Sequence, residues 1–159
     1  MALKMIAEGG EKYFEEALAL IQKQRLFKQA MALYEHDEEL HTQVKRAFGD
    51  YLQQRGYVQE AGFLYMSSDE PEDLEKSLNA FKKCGNTDMC LSIAYKLGCD
   101  QEQVVLLTKD LIEVLVTAQR YKDAADLLCT IEDYDVAQAV EYYAKANAFM
   151  AAIREAMKE

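Results

Sequence analysis

The chain of 159 residues is long enough for one compact domain or one short helical-repeat array. Its formal net charge of −10, from 28 acidic against 18 basic residues, argues against direct binding to nucleic-acid phosphates or to anionic membrane surfaces. Half of the residues are hydrophobic, with one proline and seven glycines. This composition disfavours disorder and tightly turned sheets, and it favours helices.

The apolar runs and the cysteines narrow the class further. Unbroken apolar runs such as residues 104–107 are far short of the roughly 20 residues that a membrane-spanning helix needs, and no secretory signal is recognisable near the start. The cysteines at 84, 90, 99 and 129 fit neither a CxxC pair nor zinc-ligand spacing. We therefore expect a protein with buried, reduced thiols, located in the cytoplasm or also in the nucleus.

One phrase recurs along the chain, in which a bulky residue precedes a small one by four positions. Positions i and i+4 share a helix face, so each phrase places a knob beside a hole where a neighbouring helix can approach closely. The clearest copies centre on Ala17, Ala30, Ala61 and Ala125, and weaker copies centre on Leu78, Leu91, Ala139 and Ala151.

Two amphipathic stripes, over residues 40–52 and 104–118, fill the longer gaps between phrases. In chain order the predicted helices lie at about 10–23, 25–35, 38–55, 57–67, 70–83, 87–97, 101–119, 121–132, 134–145 and 147–158. Helix ends are indicated by Gly56, Gly85 and Gly98, and helix starts by capping-box pairs, Asp69 with Glu72 and Asp100 with Gln103.

Short helices joined by turns of one to three residues fold back on their neighbours. The sequence therefore predicts an all-α fold: an α-solenoid of about ten helices in degenerate tetratricopeptide-like hairpins, forming a single segment over residues 1–159. A closed bundle would need fewer and longer helices.

The residue types that carry catalysis or hold metals do not occur in a functional pattern. His36 and His41 are five residues apart and do not make the HExxH zinc pattern. Ser67 and Ser68 lack a glycine-flanked elbow or a nearby base, and are typical of a turn. No glycine-rich phosphate loop is present. We predict a protein that is not an enzyme, with no catalytic residues, metal or cofactor.

The positive signal is an excess of apolar residues outside the core stripes. Val105, Ile112 and Val116 lie off the main stripe of their helix, and Phe149, Met150 and Ile153 give the last helix an apolar stripe where a repeat array normally ends on a polar cap. Two explanations remain open: a longer array continues past this point, or the six residues form an interface with another protein. We favour the interface.

The order of the phrases resembles a known family. The stretches that carry the resemblance begin at residue 13 with YFEEALALI and at residue 26 with LFKQAMALY, followed by FGDYLQQRGYVQEAG from 48, AFKKCGN from 80, QRYKDAA from 119 and DYDVAQAV from 133. Over about residues 13–153 the chain is similar to the C-terminal helical-repeat region of the largest scaffold subunit of the Elongator complex, the IKAP family.

The resemblance implies a non-catalytic scaffold that joins two copies of itself and binds other Elongator subunits. It places the segment in a complex that modifies the wobble uridine of tRNA at C5 with chemistry on another subunit, and implies no direct tRNA binding here. At residues 67–73 and 87–88 the chain departs from the family pattern, so local packing is expected to differ there. The alternative is a repeat segment of a vesicle-coat or intraflagellar-transport scaffold that binds other proteins.

Overall fold

A computed structural model describes residues 14–158, and all regular secondary structure within that range is helical. The helices are α1 (Phe14–Gln24), α2 (Phe27–Leu33), α3 (Glu38–Gln54), α4 (Val58–Met66), α5 (Pro71–Cys84), α6 (Thr87–Lys96), α7 (Gln101–Thr117), α8 (Tyr121–Leu128), α9 (Val136–Lys145) and α10 (Phe149–Ala156). The predicted all-α class is confirmed. Residues 10–13 of the first predicted helix lie outside the described residues.

The described residues fall into two compact units, the first running to Phe81 and the second beginning at Lys82. In the first unit, α3 packs against α1, α2 and α4. In the second, α7 packs against α6 and α8, and α9 packs against α8 and α10. None of the helices within residues 14–158 combines the length and the apolar character needed to cross a bilayer.

Aromatic rings dominate the core of the first unit. Phe27 stacks on Phe48, with ring centroids 4.9 Å apart, and lies 5.1 Å from the ring of Tyr51. Phe14 meets Tyr34 edge to face. Rings in these geometries gain electrostatic attraction beyond the area they bury, so a few large side chains hold α1, α2 and α3 together.

Two glycines inside helices admit further rings into this core. A Cβ on Gly49 of α3 would lie 2.6 Å from the ring of Tyr65, and a Cβ on Gly62 of α4 would lie 2.9 Å from the ring of Phe81. The buried Ser77 hydroxyl also donates to the carbonyl oxygen of Gly62, at 2.8 Å. Glycine is unfavourable in a helix interior by about 1 kcal/mol relative to alanine, and here it provides close contact between helices in return.

A buried ion pair links α3 to α5. Asp73 is fully buried and accepts two hydrogen bonds from Arg46, at 2.6 Å to Nε and 2.9 Å to Nη2. Burial acts to raise the pKa of Asp73, but the hydrogen bonds from Arg46 and Ser68 outweigh it, and the pKa lies below its ordinary value. The carboxylate is therefore charged at neutral pH.

The core of the second unit is built from alanine and aliphatic side chains. Ala124, Ala125, Leu111 and Leu115 are fully buried where α7 meets α8. Cys90 of α6 is also buried, and burial raises the pKa of its thiol to about 12. The expectation of a buried thiol holds for Cys90, whereas the cysteines at 84, 99 and 129 are partly exposed.

The strong phrases mark buried positions correctly, and the weak ones are less accurate. Ala17, Ala30, Ala61, Ala125 and Ala139 are fully buried. Three weaker copies are displaced by one residue: the buried small side chains are Ser77, Cys90 and Ala152, while Leu78, Leu91 and Ala151 are half-buried.

Most of the predicted helix boundaries lie within two residues of those observed. The three predicted terminal glycines all have positive φ, and the Asp100–Gln103 capping box is present. The Asp69–Glu72 box is wrong, because α5 begins at Pro71 and Glu70 occupies the preceding position. The eighth helix was also predicted too long: α8 ends at Leu128, and turns cover most of residues 129–135.

Candidate protein-interaction surface

One side of the last helix, α10, is anchored inside the second unit. Ala152 packs with Ala125 and Tyr143 in a small core cluster. The buried Glu155 carboxylate accepts hydrogen bonds from the Tyr134 hydroxyl and from Lys158, whose Nζ lies 2.7 Å away. The Lys158 and Tyr134 hydrogen bonds lower the pKa of Glu155, so a charged side chain pins α10 to the segment before α9.

The opposite side of α10 is apolar and exposed. We call Phe149, Met150, Ile153 and Met157 the α10 face. Phe149 is 61% exposed and Met157 is 81% exposed. Three large apolar side chains on one short helix, and a fourth directly after it, form the kind of patch that marks an interaction site in soluble proteins.

A second apolar feature lies on α7. Its capping box fixes the first turn, where the Asp100 carboxylate accepts from the Gln103 amide at 2.8 Å and the Gln103 side chain accepts from the Asp100 amide at 2.9 Å. Val105 and Leu106, on the outward side, line a shallow depression of about 550 Å³ together with Gln101 and Glu102. Leu106 is 62% exposed.

The six predicted interface residues have different environments. Phe149, Met150 and Ile153 are exposed, and Val105 and Val116 are half-buried. Ile112 is 7% exposed and belongs to the core. The prediction that Ile112 is an interface residue is therefore wrong. Although Ile112 lies off the main apolar stripe of α7, its side chain is buried.

The structure divides the remaining five residues between two places. The α7 residues lie on the first helix, and the α10 residues on the last, of a run in which α7 packs on α8, α8 on α9 and α9 on α10. Within the second unit they are separate features, and the α10 face is the larger.

The sequence reasoning did not mark Tyr95 of α6, which at 87% is the most exposed aromatic residue within residues 14–158. No signal separated it from the tyrosines that pack inward, because it follows the buried pair Ile93 and Ala94 on the same helix. The predicted interface also omits Leu106 and Met157, which are both exposed. Their positions beside Val105 and one turn after Ile153 could have included them.

The other perturbed groups belong to structural pairs between helices. The Tyr143 hydroxyl of α9 donates to Asp126 of α8 at 2.7 Å, and burial together with that carboxylate raises the pKa of Tyr143. Over residues 14–158, no group of three or more His, Cys, Asp or Glu side chains is placed to hold a metal ion. The second unit therefore offers a partner an apolar surface on a helix that is anchored along its other side.

Comparison with known proteins places this surface in a family context. The family model described as the ELP1 TPR domain matches residues 1–154. The chain is 31% identical over 155 residues to Elongator complex protein 1 of Mus musculus, covering 96% of this chain and 11% of the mouse protein. It is 26% identical over 144 residues to Elongator complex protein 1 of Saccharomyces cerevisiae, covering 91% of this chain and 10% of the yeast protein.

The match confirms the predicted helical repeat of tetratricopeptide type. The chain spans about a tenth of the length of the curated relatives that it matches.

Proposed function

The chain belongs to the ELP1 TPR domain family, and we propose that it is a non-catalytic scaffold segment through which two copies of an Elongator subunit associate. The proposed complex contains further Elongator subunits and modifies the wobble uridine of tRNA at C5. The segment itself supplies the contact between copies, in the cytoplasm or also in the nucleus.

The α10 face is the single observation that carries this proposal. Side chains such as Phe149 and Met150 would lie in water if the chain were alone, although α10 is firmly anchored through Glu155 and Ala152. Burying apolar surface against a second copy would contribute about 25 cal/mol per Å² removed from water. A two-fold arrangement would bring the same patch of each copy together.

The net negative charge of the chain supports a segment that binds protein and leaves tRNA binding to other parts of the proposed complex. With 28 acidic and 18 basic residues, the segment repels a phosphate backbone, so contact with tRNA is assigned to other parts of the complex. The family match also favours an Elongator scaffold over the vesicle-coat or ciliary-transport alternative.

The experiment is the molar mass of the purified chain in solution, measured by light scattering at several micromolar concentrations. The expected mass approaches twice the chain mass of 18.1 kDa, and Phe149→Glu should return it to a single chain mass without loss of helical circular dichroism. A wild-type chain that remains monomeric at every concentration would reject self-association.

Tyr57 provides a matched control in the first unit, since at 57% its exposure is close to that of Phe149. Tyr57→Glu adds the same charge at a similarly exposed aromatic residue and should leave the molar mass unchanged. Equal loss of dimer in both variants would indicate nonspecific charge repulsion and would contradict the role of the α10 face.

A further inference from the structure

The connection between α4 and α5 combines an exposed serine with a run of carboxylates after it. Ser67 follows the last residue of α4, and Asp69 and Glu70 stand two and three positions beyond it, before Pro71 opens α5. Protein kinases select substrates largely by the charges around the acceptor. We propose that Ser67 is a phosphorylation site for an acid-directed serine kinase, of the class that requires a carboxylate three positions after the acceptor.

The hydrogen bonds distinguish Ser67 from its neighbour Ser68. The exposed Ser67 hydroxyl donates to the carbonyl oxygen of Leu64 at 2.6 Å, a local bond that water can replace. The half-buried Ser68 hydroxyl accepts from the Glu70 amide at 3.2 Å and also contributes a hydrogen bond to the buried Asp73. Ser68 therefore takes part in the α3–α5 ion-pair network, whereas Ser67 is available at the surface.

Basic side chains of α3 lie across from this serine. Ser67 and Ser68 share the lining of a depression of about 910 Å³ with His41, Lys45 and Arg46. Arg46 is already engaged by Asp73. Among residues 14–158, no carboxylate lies within ion-pair distance of Lys45, so this ammonium group can take a new anionic partner.

These cations determine what a phosphate would do here. A phosphoserine carries about −1.5 to −2 charges. It is opposed by the negative end of the α4 dipole and by the four carboxylates that line the same depression, Glu38, Glu39, Asp69 and Glu70. Lys45 supplies the compensating charge through a charge-assisted hydrogen bond. Burial and the nearby Lys45 lower the pKa of His41, so its imidazole can offer the phosphate a neutral N–H donor. Phosphorylation would therefore link the end of α4 to α3 through the contact between the phosphate and Lys45, and the phosphate would occupy the depression.

The reaction uses magnesium-bound ATP and the kinase. The Ser67 hydroxyl oxygen attacks the γ-phosphorus, the new oxygen–phosphorus bond forms, and the bond between the γ-phosphorus and the β,γ-bridging oxygen breaks. ADP leaves with that electron pair, and the hydroxyl proton passes to the base of the kinase.

Thr130 provides an internal comparison. It is exposed, it follows the end of α8, its hydroxyl donates to Leu127 at 2.6 Å, and Asp133 stands three positions after it. It matches the sequence requirement, but it does not line the depression that holds Lys45. It is the strongest competing acceptor by sequence alone.

The test is incorporation of phosphate into the purified chain by casein kinase II with magnesium ATP, followed by intact mass and fragment mapping. One phosphate at Ser67 is expected. Ser67→Ala and Glu70→Gln should each slow incorporation by at least about tenfold, while Ser68→Ala and Thr130→Val should leave the rate unchanged. An unmodified wild-type chain, or a phosphate mapped to another residue, would overturn the proposal.

A second measurement tests the pairing with α3. The phosphorus resonance of the phosphorylated chain, followed against pH, gives the second pKa of the phosphate, which is about 6 when unperturbed. Lys45→Gln should raise that pKa relative to the phosphorylated wild-type chain, because a nearby cation favours the dianion. Identical titrations would show that Lys45 does not contact the phosphate.

Discussion

The two units of the chain differ in the side chains that dominate their helix packing. The first, to Phe81, packs large rings against one another and into two glycine positions. The second, from Lys82, packs alanines against aliphatic side chains and leaves six large apolar residues exposed: Tyr95, Leu106, Phe149, Met150, Ile153 and Met157. The first unit exposes three such residues among those described: Leu33, Tyr57 and Phe63.

This difference indicates which side chains stabilise each unit and which unit has apolar surface available for a partner protein. In the first unit, the rings that pack against Gly49 and Gly62 are themselves buried, so they stabilise the unit from within. Small buried residues let the helices of the second unit approach closely, but larger apolar side chains then remain on the outside for a partner.

The largest expected effect is on the first unit. Phe81→Ala removes the fully buried ring that fills the space over Gly62, and should lower the free energy of unfolding by about 3–5 kcal/mol. Urea unfolding followed by circular dichroism measures it. Phe63→Ala is the matched control: Phe63 meets the same ring edge to face but is 46% exposed, so a loss as large as that of Phe81→Ala would contradict the ring-in-glycine account.

A smaller effect is expected at the ion pair. Arg46→Ala leaves the Asp73 carboxylate buried without its partner, and because Arg46 is 34% exposed the loss at pH 7 should be about 2–3 kcal/mol. The folded pKa of Asp73 lies below its ordinary value of 3.8, so the wild-type pair stabilises the protein above that value. This contribution disappears as the pH falls through the lowered folded pKa.

The variant should therefore differ most from wild type at pH 7 and progressively less below pH about 4, where the unfolded carboxyl is protonated. Urea unfolding at both pH values tests this dependence. Lys145→Ala breaks the exposed pair with Glu141 and should leave the unfolding midpoint unchanged at both. A loss in Arg46→Ala that stays constant with pH would show that the packing of Arg46, and not its charge, supports α5.

The smallest effect on stability is expected at the α10 face. Ile153→Ser should change the free energy of unfolding by less than about 0.5 kcal/mol, because this side chain is 54% exposed. Urea unfolding at a concentration where the chain is monomeric checks this, and a loss above about 2 kcal/mol would show that Ile153 belongs to the core. The comparison between units would then need revision.

The sequence predicted helix existence well because bulky and small residues recur at helical spacing, as around Ala17 and Ala125. It was less accurate for the weaker copies: Ser77 and Cys90 are buried although the pattern selected their larger neighbours, and Ala152 is buried in place of Ala151. Periodicity locates the buried face of a helix only to within about one residue. The packing of neighbouring helices decides which of two adjacent side chains is buried.

The candidate surface was predicted in part. The α10 residues are exposed as the apolar stripe indicated, but Ile112 is buried because α7 has neighbours on more than one side. Left-handed turns at Arg25, Gln119, Asp133 and Asn147 carried no glycine signal. The packing of aromatic rings against Gly49 and Gly62 could also not be predicted. A glycine inside a helical pattern can indicate a close contact, but the sequence does not show which side chain makes it.

The buried thiol of Cys90 can report how often the second unit opens locally around α6. With its pKa raised to about 12 and its side chain fully covered, it stays protonated and shielded near neutral pH, and thiolate is the form that reacts with alkylating reagents. The rate at which Cys90 is alkylated in the native protein therefore measures how often local unfolding exposes α6. Cys84, Cys99 and Cys129, which are partly accessible, supply the faster reference reactions in the same tube.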